Sequence, residues 1–174
     1  ISAEKIGFDE GQLRRDRVAR ANVSTADRGD SEWSQWRGSQ RDGHSIETGL
    51  LDQWPEQGPA IVWQAEGLGS GYSSAAVSQG RVFTLGSVDG REHLFALNEQ
   101  NGKQLWSTPV GAGDHSNGTP TVDGNRVFAV GLQGDLICAD TESGRQLWHV
   151  KYETGFGGSM MSGWGFSESP LVDG

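Results

Sequence analysis

Four histidines, one cysteine and a scatter of carboxylates are the side chains here that could do chemistry. A zinc site draws its ligands from short, recurring spacings. His44, His93, His115 and His149 stand in four unrelated segments, and no such spacing links them. Calcium takes several converging oxygens, and no Asp, Asn and Glu cluster with loop-like spacing is present. GLGSG at 67–71 begins like a phosphate-cradling turn but lacks the later glycine of a dinucleotide fingerprint. It also runs into strand-like sequence, so no helix N-terminus faces a phosphate there. Ser73 and Ser74 have no G-x-S-x-G elbow around them. Cys138, alone beside Ile137 in an apolar run, suits a small buried hydrophobe. On this reading the chain carries no catalytic residue and no metal ligand.

What remains is a set suited to holding a ligand or a partner: Tyr72, Asp114, His115, Asn117, Trp164, Phe166 and Glu168. All fall in three segments rich in Gly and Ser, namely GLGSGYSS (67–74), GAGDHSNGT (111–119) and YETGFGGSMMSGWGFSES (152–169). Whether they meet depends on the elements between them.

Those elements belong to a chain of 174 residues with 34% hydrophobic residues and a net charge of −9. That length suits one globular domain. The acidic balance, with no Lys/Arg stripe, argues against a nucleic-acid partner. No run approaches the roughly 18 apolar residues of a membrane-spanning helix. The single cysteine excludes an internal disulfide. The chain opens on Ile1 with no signal-peptide core, so the start of the gene product is expected to be missing and the chain to be a fragment of a longer product. Residues 1–32 read as a mobile polar lead or tether, in which Asp9 and Gln12 could cap a short helix over Leu13–Ala21. All seven Trp and most of the 27 Gly lie beyond it.

From Trp33 onward short apolar runs (VFTLG, HLFAL, VFAVG, LICA) alternate with turn residues. They are strand-length and apolar on consecutive positions, as in strands covered on both faces. The line QGRVFTLGSVDGREHLFALNEQNGKQLW at 79–106 recurs as GNRVFAVGLQGDLICADTESGRQLW at 124–148. Val77, Val82 and Phe83 map onto Val122, Val127 and Phe128 at a spacing of 45, whereas Gly102 and Trp106 map onto Gly144 and Trp148 at 42. The difference places a three-residue insertion in the SVDGRE turn of the first copy. Gly80 and Asn125 share one turn position and are expected at positive φ. Each copy reads as four strands, and four strands per period of about 40–50 residues is the signature of a β-propeller blade. The fold expected is therefore all-β, an incomplete propeller of four-stranded antiparallel blades. It comprises a lone strand at 59–66, blades at 72–110 and 117–151, and the start of another at 167–174. Trp63, Trp106 and Trp148 stand at one point of successive units and are expected to pack between blades.

The two copies, and the pattern Asp140, Gly144, Arg145, Leu147, Trp148 in particular, resemble the repeat of bacterial pyrroloquinoline-quinone-type (PQQ-like) β-propellers; the first copy departs from it with Asn98 in place of Asp. The lead-in WSQWRGSQRDGHSIETGLLDQWPEQGPAIVW is similar to the start of extracytoplasmic propeller-repeat proteins of this kind. The resemblance implies a periplasmic or extracytoplasmic protein of one of two branches. Quinoprotein alcohol and sugar dehydrogenases hold PQQ and usually Ca²⁺ on the propeller axis, many with a vicinal Cys–Cys disulfide. The other branch, scaffolds of outer-membrane assembly, carries no cofactor. Here Cys138 has no cysteine neighbour, and no PQQ or Ca²⁺ ligand can be assigned to a position.

Blade topology then puts the segments 67–74, 111–119 and 152–169 around one mouth of the central channel. Loops on a rigid scaffold are where such proteins bind. The third either presents Phe156, Met160, Met161, Trp164 and Phe166 to a partner or folds down as a plug; both alternatives stand open. WRGSQRDG at 36–43 is expected to cap a propeller face through Trp36 and Arg37. The reading is a noncatalytic binding or scaffold module with a protein or small ligand at the channel mouth. Its rival is the N-terminal part of a PQQ-dependent dehydrogenase.

Overall fold

A computed structural model describes residues 32–160 and 162–173. All of the expected tether but Glu32, its helix over Leu13–Ala21 and the position of Met161 lie outside the described residues. Two four-stranded antiparallel sheets follow one another along the chain. The first comprises β1 (Ala76–Ser78), β2 (Arg81–Val88), β3 (Arg91–Asn98) and β4 (Gln104–Ala112). The second comprises β5 (Thr121–Asp123), β6 (Arg126–Val130), β7 (Asp135–Asp140) and β8 (Gln146–Lys151). In each sheet the strands are paired in chain order, β1-β2-β3-β4 and β5-β6-β7-β8.

The repeat holds down to register. Val77 pairs with Val82 as Val122 pairs with Val127, and Ala96 pairs with Trp106 as Cys138 pairs with Trp148. A β-bulge follows Ala96 in one sheet and Cys138 in the other. The three inserted residues lengthen the β2–β3 hairpin, which closes tightly on Asp89 and Gly90, both at positive φ. The turn before it differs from the expectation. Positive φ falls on Gln79 (51°) and Gly80 (73°) in the first copy but on Gly124 (54°) in the second, where Asn125 is not at positive φ. Two positive φ angles make a type I′ hairpin turn, and one at the first central position makes II′; both match the twist of the flanking strands.

Strands β3 and β7 carry runs of buried residues, Leu94–Leu97 and Ile137–Ala139, because both faces are covered. One core cluster spans the sheets, with Phe83 and Leu94 from the first, Val127 and Ile137 from the second, and Trp106 packed against them. Cys138 is fully buried within β7, and burial pushes its thiol pKa up.

Two expected elements take other forms. Residues 59–66 form no strand; no ladder partner runs alongside them among the described residues, and Trp63 anchors the segment instead. Residues 167–173 likewise form no strand, although Thr119 N–H donates to Ser169 Oγ (3.0 Å) and the Thr121 hydroxyl to Pro170 O (2.5 Å). A short helix, α1 (Tyr152–Phe156), which the sequence did not announce, ends on Gly157 in the left-handed conformation.

Candidate binding cleft

The segments leading into β1 and β5 are drawn together at one end of the sheets. Gly71 bridges Ser116, and the Tyr72 N–H donates to Ser116 O at 2.6 Å. Ser70 bridges Ser87 and its hydroxyl reaches Asp114 O (2.6 Å). Asn117 Nδ2 donates to Trp164 O (2.8 Å), which ties in the third segment. Backbone and side-chain hydrogen bonds thus bring the Gly/Ser-rich segments into one rim.

Within that rim lies a cleft of about 410 Å³ lined by Trp36, Arg41, Tyr72, Ser74, Asn117, Thr119 and residues 167–169. A second lobe shares Tyr72, Asn117 and Ser167 and is walled by Trp164. Of the residues singled out from sequence, Tyr72, Asn117, Trp164 and Glu168 line this space together. Tyr72 (75% exposed) and Trp164 (71%) present open aromatic faces. His115 supports the Tyr72 ring edge-on at 6.1 Å and is held through Nδ1 by Asp114 (2.7 Å), whose own side chain points to solvent. Phe166 does not join them. Its ring packs edge-on against Tyr152 at 5.0 Å and over Gly134, and its N–H donates to Leu132 O. Burial there, reinforced by the charge of Glu168, raises the Tyr152 hydroxyl pKa.

The segment 33–43 contributes more than the sequence indicated. Trp33 exchanges two backbone hydrogen bonds with Val77 in β1, and Ser34 O accepts from the Val122 N–H in β5. Arg41 donates to Ser169 O (3.4 Å) and Pro170 O (3.2 Å). One short stretch therefore runs across the innermost strands of both sheets and on to the segment after them. The hydrogen bonds come from Trp33, Ser34 and Arg41, while the expected Trp36 lines the cleft through its ring. The Arg37 and Arg41 guanidiniums stand 5.4 and 5.7 Å from the Trp36 ring centre, within cation–π range. Serines and a threonine had no sequence signal for the cleft, and Arg41 is distinguished only by lying in a loop with turn residues on either side.

The repeat tryptophans show how one sheet is fixed to the next. Trp106, leaving β4, donates from Nε1 to Thr141 O (3.2 Å), with its ring over Gly144. Trp63 does the same to the first sheet, donating to Glu99 O (2.8 Å) over Gly102. A methyl group on Gly144 would stand 2.6 Å from the Trp106 ring, and one on Gly102 2.4 Å from that of Trp63, so glycine is required under each ring. Trp148 holds the same position in β8, packs at a tilt against Phe128 at 5.9 Å and is 40% exposed.

Calcium takes six to eight oxygens. The cleft offers one carboxylate, Glu168, with an amide and hydroxyls, and among the described residues no group of three His, Cys, Asp or Glu side chains converges. This donor set does not fit a calcium–quinone centre by itself. No helix among the described residues is long and apolar enough to cross a membrane.

Two successive sheets of four antiparallel strands, the first latched to the second through its last strand, are blades of a PQQ-like β-propeller. The chain belongs to the propeller-repeat family described as outer membrane protein assembly factor BamB, whose pattern matches residues 19–164. It is 37% identical over 70 residues to BamB of Burkholderia pseudomallei, covering 35% of this chain and 18% of that protein. It is 32% identical over 65 residues to a tetrathionate hydrolase of Acidithiobacillus ferrooxidans, covering 37% of this chain and 13% of the other. The chain thus spans less than a fifth of either relative. Quinohemoprotein alcohol dehydrogenase ADHIIG from Pseudomonas putida HK5 superposes with a TM-score of 0.58 at 19% identity, over 75% of this chain and 20% of that one. At that identity the likeness is one of fold.

Proposed function

We propose that this chain is part of a noncatalytic propeller of the bacterial cell envelope that binds a protein partner at its channel mouth. The observation that carries the reading is the cleft itself. Tyr72, Trp164 and Trp36 expose aromatic faces on loops held by backbone hydrogen bonds, among Asn117, Glu168 and hydroxyl groups. Rigidly held aromatics beside a few polar groups are typical anchors for a protein surface. Family membership favours a scaffold role in outer-membrane protein assembly, and with it a periplasmic location and no bound cofactor. The alternative, a quinone-dependent alcohol or sugar dehydrogenase, rests on fold likeness.

A complementation experiment separates the two. Tyr72→Ala combined with Trp164→Ala in the full-length protein removes both exposed rings without touching the core. The scaffold reading expects normal accumulation of the variant but impaired outer-membrane protein assembly and a leakier envelope. Full complementation, together with PQQ- and Ca²⁺-dependent dye reduction by an alcohol in the unaltered protein, would overturn it.

A further inference from the structure

Three exposed aromatic rings line the cleft, and they are not equivalent. Trp36 already carries cations, since the Arg37 and Arg41 guanidiniums lie within cation–π range of its ring. Arg41 is committed there, donating to Gln35 Oε1 (3.1 Å), Pro170 O (3.2 Å) and Ser169 O (3.4 Å). Arg37 likewise donates to Asp42 O (3.1 Å). Tyr72 and Trp164 line the second lobe together, and among the described residues no cation of the chain lies over either ring.

The polar groups beside those two rings are open acceptors. Asn117 spends its Nδ2 on Trp164 O (2.8 Å), and no donor among the described residues reaches its Oδ1. Ser167 lines both lobes and is followed by Glu168, which lines the first. The Glu168 carboxylate makes no salt bridge among the described residues. The cleft therefore holds an arginine whose donors are occupied and a carboxylate without a counter-ion. The chain's net charge of −9 attracts the same sign of partner from a distance.

We infer that the lobe between Tyr72 and Trp164 is a seat for a guanidinium, presented by an arginine of the protein partner, with Glu168 as its counter-ion. The inference rests on the reading of the cleft as a protein-binding site and names what that site takes. A guanidinium is planar and weakly hydrated, stacks on aromatic faces and forks onto a carboxylate; an ammonium is compact and strongly hydrated, and fits such a seat less well. The chain's own arginines on Trp36 show the stacking a short way along the same cleft. An apolar side chain would cover the rings but leave Glu168 without a partner, and an acidic one would meet its like charge. Arg41, held in the first lobe, repels a second cation there, so the seat is the lobe that lacks it.

The test uses the full-length protein and a pair of glycine–serine peptides that carry arginines or, at the same positions, citrulline, which keeps the shape of arginine without its charge. Affinity is read by calorimetry, and the place of binding by the indole N–H resonance of Trp164. The arginine peptide is expected to bind about tenfold more tightly than the citrulline peptide and to shift that resonance. Glu168→Gln should erase most of the preference, and Trp164→Ala should weaken the arginine peptide by about three- to tenfold, each with unchanged thermal unfolding. Equal affinities for the two peptides, a preference that survives Glu168→Gln, an unmoved Trp164 resonance, or no binding of the arginine peptide up to about 1 mM would overturn the seat. If the Tyr72→Ala, Trp164→Ala variant impairs assembly while the two peptides bind alike, the guanidinium seat is refuted and the protein-binding cleft stands.

Discussion

Trp106 and Trp148 occupy one position of the repeat, with identical register and the same tilted packing against a phenylalanine, yet their surroundings differ. Trp106 donates to Thr141 and lies over Gly144 of the next sheet, whereas Trp148 meets no such turn among the described residues and stays 40% exposed. The strand sequence sets where the indole points; the neighbouring blade decides whether it is buried. A repeat unit completes its core only against the next one, and this pair shows the two halves of that rule side by side.

The largest expected effect follows from the covered member. Trp106→Ala removes a ring that packs against the core and bridges two sheets, and urea unfolding of the full-length protein should show a loss of about 3–5 kcal/mol. A loss below about 1 kcal/mol would mean that the ring is a surface platform. Trp148→Ala sharpens the comparison. With its ring open, as in the 174-residue chain, the cost should stay below about 1 kcal/mol. In the full-length protein, covered by a following blade, it should approach the Trp106 value. Two equally small values would break the equivalence of the two positions. A smaller difference separates the turns before β2 and β6. Gly124→Ala forces alanine to a φ of 54° and should cost about 1 kcal/mol by thermal unfolding. Gln79 already stands at positive φ, so Gln79→Ala there should cost less than about 0.5 kcal/mol beyond its lost contact with Gly124 O.

The repeat made the strands legible because turn chemistry and apolar runs are local properties. Val77–Val82 and Val122–Val127 could be matched across copies before any contact was known, and register followed. The segments outside the ladders were harder to read. Residues 59–66 look like a strand because they are apolar, but strand formation needs a neighbour, which the amino-acid types do not supply. Phe166 and Trp164 stand two residues apart in the same Gly-rich loop, and only the packing against Tyr152 decides that one turns inward. Tyr72, Asn117 and Glu168 were found because topology gathers their loops at one end. The buried Glu92 was not, since its partner, the Leu132 N–H, comes from a distant segment. An acidic residue inside the apolar run HLFAL's strand was the available signal.

The latch between the sheets is tested most directly by a double-mutant cycle on Trp106→Ala and Gly144→Ala. With the ring in place, an added methyl group at Gly144 meets it at 2.6 Å and must also adopt a φ of 72°. With the ring gone, only the backbone cost of about 1 kcal/mol remains. The two substitutions should therefore be non-additive, with Gly144→Ala costing at least about 1 kcal/mol more in the presence of Trp106 than in its absence. Additivity within about 0.5 kcal/mol would contradict the docking of each blade's tryptophan onto the next blade's glycine turn.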